Sequence, residues 1–170
     1  GIKMIGGNFE DTHLQGKYDL IILSHVVFHF LKPLDCLARL REHLSPSGVC
    51  YIATGNYFSP KSVGGLNQYL FKDGKLFYFL PHAMQYALEE SGLCIVAHDT
   101  ERPNPNHGQI NYLAVHKELA QSLDLEPISF REVGWRETAL RLKIYDVKSK
   151  LVYLKKKGLR SAFLYYLRNR

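Results

Sequence analysis

The segment YDLIILS, residues 18–24, restricts this chain more than any other stretch. Behind a leading Tyr-Asp pair, four aliphatic residues follow one another with no polar residue between them. A strand that faces water on one side alternates apolar and polar positions, so an unbroken run suits a strand of a parallel sheet covered on both faces. Parallel neighbours need a long crossover, usually a helix, and the run therefore commits the chain to an α/β architecture.

The next residues supply such a crossover. Pro33 stands where it opens a helix, and Leu34, Leu37, Leu40 and Leu44 follow at helical spacing with charges between them. Ser45-Pro46-Ser47-Gly48 has turn chemistry and reads as the stop, and Val49 to Thr54 (VCYIAT) reads as the next strand. Upstream, Ile2 to Ile5 is a short strand candidate closed by Gly6 and Gly7. Residues 55–80 read as an aromatic-rich insertion with one short helix near Ser62 to Phe71. Pro81 to Ser91 is a helix ended by Gly92, and Leu93 to His98 and Ile110 to His116 are strands that finish the sheet as an antiparallel pair.

Charge divides the chain in two. Residues 1–116 hold 9 basic and 10 acidic side chains, whereas residues 117–170 hold 13 basic and 6 acidic, so the formal net charge of +6 belongs to the tail. From about Phe130 the tail reads as one long helical stretch to Lys156, then a second helix after Gly158. It is expected to pack on the domain or on a second copy as a homodimer, or to rest on anionic lipid as a peripheral membrane contact. Nucleic acid is set aside, because no recognised motif or base-stacking platform accompanies the charge. Cys36, Cys50 and Cys94 lie in apolar contexts without paired spacing, which predicts reduced, buried thiols in a cytoplasmic protein. No apolar run approaches the ~20 residues of a membrane-spanning helix, and no secretory leader opens the chain.

One ordered constellation carries a family resemblance. It runs from GGNFED at residues 6–11 through YDLIILSHVVFHF at 18–30 and Lys32-Pro33 to LSPSGVCYIATGN at 44–56. In that order and spacing the chain resembles the C-terminal part of a class I S-adenosylmethionine-dependent methyltransferase. The resemblance implies a partial Rossmann-like methyltransferase sheet, parallel strands with a final antiparallel strand, over residues 1–117, followed by a basic helical extension over 118–170. It implies S-adenosyl-L-methionine as cofactor and a small-molecule or glycan-type acceptor. The family's sheet order, 3-2-1-4-5-7-6, makes the present strands numbers three to seven.

The same resemblance assigns site residues. Asn8 and Phe9 match the adenine-contacting pair, with Asn8 where an Asp is usual. Ser24 and His25 end the fourth family strand on the cofactor side, where open α/β sheets bind ligands. His25 is the candidate catalytic base, since an imidazole titrates near working pH. His25 and His29 also form an HxxxH pair, but without an HExxH glutamate, a third ligand or a Cys pair, no metal is expected. Asn56, Tyr57 and His82 are the candidate acceptor contacts. The Gly-rich loop after the family's first strand and the acidic residue after its second do not occur here. The chain is therefore expected to be a fragment, inactive alone; the alternative is a non-enzymatic methyltransferase-like partner or regulatory module. Without the missing strands, Ile21, Ile22 and Leu23 are expected to form an exposed apolar edge.

Overall fold

A computed structural model describes residues 4–55, 76–99 and 109–140. Among them the elements are β1 (Tyr18–Ser24), a 3-10 turn (Val27–His29), α1 (Pro33–His43), β2 (Leu44–Gly55), α2 (Pro81–Glu90), β3 (Leu93–Asp99), β4 (Gln109–His116) and α3 (Lys117–Ser122). The helix expected near Ser62 to Phe71 and the tail helices beyond residue 140 lie outside the described residues. The chain divides into two compact units, and the one comprising Gly1–Asn56, Leu76–Arg102 and Gln109–Glu132 holds every element just named. Of the other unit, residues 133–140 are described, and 135–140 are helical.

The sheet order is β1-β2-β4-β3. β1 and β2 run parallel, and β4 lies antiparallel to both β2 and β3. This is the 4-5-7-6 part of the order that the resemblance implies, with the last strand inserted between its predecessors. Directly paired residues share a face, which divides the core in two. Ile52, Ile95, Ile110 and Tyr112 of the sheet pack with Leu37 and Leu40 of α1 and with Met84 and Leu88 of α2. On the opposite face a small cluster joins Cys94 and Val115 to Ala120 of α3. All three cysteines are buried and free, as their apolar contexts predict.

Three local expectations need correction. β1 is not covered on both faces: Leu23 is buried, but Leu20 is 56% and Ile22 59% exposed. Alternation sends Leu23 to the core, while Leu20 and Ile22 face the other side, where helix coverage among the described residues is limited to α3. Of the three residues expected at an exposed edge, Ile22 is exposed on the uncovered face, Ile21 is half-buried against the core and Leu23 belongs to the core. At the N-terminus, Met4 and Ile5 are exposed and form no strand, because nothing described lies alongside to satisfy a ladder. Residues 2 and 3 lie outside the described residues.

The third correction concerns Ser45-Pro46-Ser47-Gly48, which lies within β2 and is not a separate turn. α1 ends at His43, Leu44 caps it by donating to the Leu40 and Arg41 carbonyls, and the strand starts at once. The extra residues are absorbed as a bulge: Tyr18 pairs with Leu44 and Leu20 with Val49. Gly48 permits it, since a Cβ there would lie 2.9 Å from the Tyr18 carbonyl and 2.8 Å from Leu44 Cδ1. Ser45 adds a 2.7 Å hydrogen bond to Asp19 across the same irregularity.

Candidate functional site

Two groups of polar residues lie where the sheet and its loops leave them accessible. The first is the edge formed by the C-terminal ends of β1, β2 and β3 and the start of β4. Register aligns Ser24, Ala53, Asn111 and Asp99 in one row across the four strands. His25 stands one residue past the end of β1. Its N–H extends the ladder by donating to the Ala53 carbonyl at 2.9 Å, and its backbone is left-handed, with φ of 56°. Its Nε2 lies 3.2 Å from Gln109 Oε1, and Gln109 Nε2 donates to Asn111 Oδ1 at 2.5 Å. Thr54, one residue along β2, is fully buried with no hydrogen-bond partner for its hydroxyl.

The second group is built where residues 8–10 dock on the start of α1. Lys32, the residue before Pro33, provides no side-chain cap. Glu10 supplies it from a distance, its Oε1 accepting from the Leu31 N–H at 2.9 Å and the Lys32 N–H at 3.0 Å. The Lys32 N–H bond is the main reason that the Glu10 carboxyl titrates below its ordinary value. Burial, reinforced by the hydrogen bond to Glu10, pushes the Cys36 thiol up to about 12. Arg39 donates to the carbonyls of Phe9 and Glu10 at 2.8 and 2.9 Å, with its guanidinium 5.2 Å from the Phe9 ring centroid. Phe9 also packs on Phe30, with ring centroids 5.6 Å apart. The Asn8 carbonyl closes the turn, accepting from the Asp11 and Thr12 N–H groups. A pocket of about 310 Å³ results, lined by Asn8, Glu10, Lys32, Asp35 and Arg39 among others.

The expected site residues therefore occupy separate places. Ser24 and His25 are together at the sheet edge; Asn8 and Phe9 are together against α1. His82 is apart from both, in the first turn of α2, its Nδ1 buried without a partner. Asn56 and Tyr57 lie outside the described residues. Sequence reasoning passed over Glu10, Arg39, Gln109 and Asn111. The alternation Gln109-Ile110-Asn111 at the start of a strand was a usable signal, since it puts two amides on one face. A carboxylate capping a helix more than twenty residues away leaves no local signal.

Comparison with known proteins follows the same lines. A family model described as a methyltransferase domain matches residues 2–98. Among solved structures, the chain is similar to mitomycin 7-O-methyltransferase MmcR, with TM-score 0.51 and 16% identity, covering 67% of this chain and 34% of that one. It is also similar to the O-methyltransferase NcsB1 from neocarzinostatin biosynthesis, with TM-score 0.50 and 18% identity, covering 65% of this chain and 32% of that one. An S-adenosylmethionine-dependent methyltransferase from Clostridium acetobutylicum ATCC 824 gives TM-score 0.49 and 12% identity, covering 66% of this chain and 63% of that one. The chain thus spans less than two thirds of the length of each of these structures. A search of the curated proteins finds no match.

Proposed function

The chain belongs to the methyltransferase-domain family, and from that premise we propose that it is the C-terminal part of an S-adenosylmethionine-dependent methyltransferase acting on a small-molecule or glycan-type acceptor. The observation that carries this reading is the sheet edge, where His25 is held beside the ends of β1 and β2. In an open α/β sheet that edge is where ligands bind. Two of the similar structures are O-methyltransferases by name, which supports a hydroxyl as the acceptor group.

The residues present fit the adenine end of the cofactor. Asn8 is exposed, its side-chain oxygen accepts no hydrogen bond among the described residues, and half-buried Phe9 follows it in the chain. An acceptor beside an apolar ring suits an exocyclic amine on a flat base. When bound, S-adenosylmethionine supplies a methyl group on a sulfonium that departs as a neutral thioether, keeping the C–S electron pair. The residues of this chain then have two tasks. Ser24 and His25 border the reacting groups, and His25 takes the proton from the acceptor as its electron pair bonds to the methyl carbon. Asn56, Tyr57 and His82 are assigned to hold the acceptor.

We assign residues 1–117 to the partial methyltransferase domain and 118–170 to a basic extension, whose first part through Glu132 belongs to the same compact unit as the sheet and whose remainder meets anionic lipid or a second copy, in a cytoplasmic protein. Calorimetric titration of the 170-residue chain with S-adenosylmethionine tests the fragment reading. Weak binding is expected, and tight binding by this chain alone would overturn it. In the longer parent, His25→Ala should lower methyl transfer about 10²-fold or more, the usual scale of general-base catalysis. Unchanged turnover would remove His25 from the mechanism.

A further inference from the structure

We propose that Gln109 is a positioning residue which fixes the tautomer of His25, so that Nε2 carries the hydrogen and Nδ1 is the nitrogen left to accept a proton. The inference rests on the assignment of His25 as the base. It starts from the amide of Gln109, which has one acceptor atom and one donor group. Its Nε2 donates to Asn111 Oδ1 at 2.5 Å, and that oxygen is acceptor only. In this arrangement Oε1 faces His25, 3.2 Å from the imidazole Nε2. A carbonyl oxygen cannot donate, so the ring nitrogen facing it must. A neutral imidazole has a single N–H, and Nδ1 is consequently the free acceptor.

The backbone is bent to make this contact. Along an extended strand, residue 25 would follow Leu23 and not Ser24, taking the side of the sheet that carries Leu23 and the main core. Gln109 and Asn111 are two apart on β4, and Asn111 is in register with Ala53, which pairs with Ser24. Their side chains therefore belong to the Ser24 side. The left-handed φ of 56° breaks the alternation at His25 and lets the imidazole meet an amide that belongs to the other side. For a non-glycine residue this conformation is strained. Between the two, β2 ends in Gly55, directly paired with Gln109, so no side chain stands at the intervening strand position. Gln109 is neutral, so it orients the ring and supports the Nε2–H of the imidazolium without adding a charge of its own. In serine hydrolases a buried aspartate performs the corresponding orienting role.

Long-range ¹H–¹⁵N correlation spectra of the ¹⁵N-labelled chain read the tautomer directly, at a pH where histidines are neutral. His25→Asn, which tolerates a left-handed backbone, identifies the His25 signals by their loss. In the wild type, His25 should be predominantly Nε2-protonated. Gln109→Met should release it to a mixture of tautomers, and Asn111→Ala should shift it part of the way. Gln109→Glu, which still presents an acceptor oxygen, should preserve the Nε2–H form. A wild-type spectrum with Nδ1 protonated overturns the proposal, whether or not the variants fold. So does a Gln109→Met spectrum identical to wild type. The base assignment fails separately: normal turnover of the parent with His25→Asn would dismiss the base and leave the tautomer result standing.

Discussion

Gly92 offers a test in which backbone and packing effects can be measured apart. It follows α2 with φ of +79°, and an added Cβ would lie 2.7 Å from Arg41 Nε and 3.1 Å from Arg41 Cδ. For Gly92→Ala the left-handed backbone costs about 1–2 kcal/mol. Displacing Arg41 costs less. Its Nε has no hydrogen-bond partner, and its contact with Glu118 is a half-exposed pair at 3.3 Å, a type worth roughly 0–1 kcal/mol. The sum is about 1–3 kcal/mol, which lowers Tm by about 2–4 °C per kcal/mol in a chain of this size. Urea unfolding followed by circular dichroism should show a lower midpoint with an unchanged m-value. Repeating the substitution on an Arg41→Ala background removes the clash and should leave about 1–2 kcal/mol, the backbone share. A total cost under about 0.5 kcal/mol, or one that vanishes with Arg41, would refute the reasoning on φ.

Glu10→Gln should weaken the docking of residues 8–10 on α1. Because the folded state lowers the Glu10 pKa, its contribution is present above the unfolded pKa and is lost as pH falls through the folded one. The stability gap between wild type and Glu10→Gln should therefore close in acid, and a gap independent of pH in urea titrations would contradict the cap. Leu88→Ala empties a fully buried position and should cost about 2–5 kcal/mol in the same assay. Leu34→Ala, at 43% exposure, should stay below that range, and equal costs would undo the assignment of the core face. Burial alone pushes the Cys50 thiol up to about 12, so a thiol reagent should label it only as fast as the chain unfolds. Immediate labelling of all three cysteines in the native protein would argue against this core.

The elements were legible where one local pattern sufficed. The aliphatic run of β1, the proline opening α1 and the glycine closing α2 all signal through the nearest residues, and each lies where that signal puts it. What failed depended on partners distant in sequence. Ser45 to Gly48 has the composition of a turn, but pairing with Tyr18 and Asp19 draws it into a strand. The run at 18–24 reads as buried on both faces because hydrophobicity records what a strand can bury, and not which side is covered here. At the site, His25 was visible as a histidine ending a strand. Its link to Gln109 spans 84 positions and exists only because β4 enters beside β2.

The insertion of β4 between β2 and β3 also bears on how the chain is made. On the ribosome, β3 emerges before β4, the one strand it pairs with among the described residues. Until residue 116 has left the exit tunnel, Leu93, Cys94 and Ile95 have no ladder to join, and β2 has an open edge toward the missing strand. Two apolar edges wait for the same late segment, which is the situation in which nascent chains associate wrongly. Vectorial synthesis thus delays closure of this sheet to the last of the described strands. A nonsense codon between β3 and β4 would release a chain with both edges unpaired.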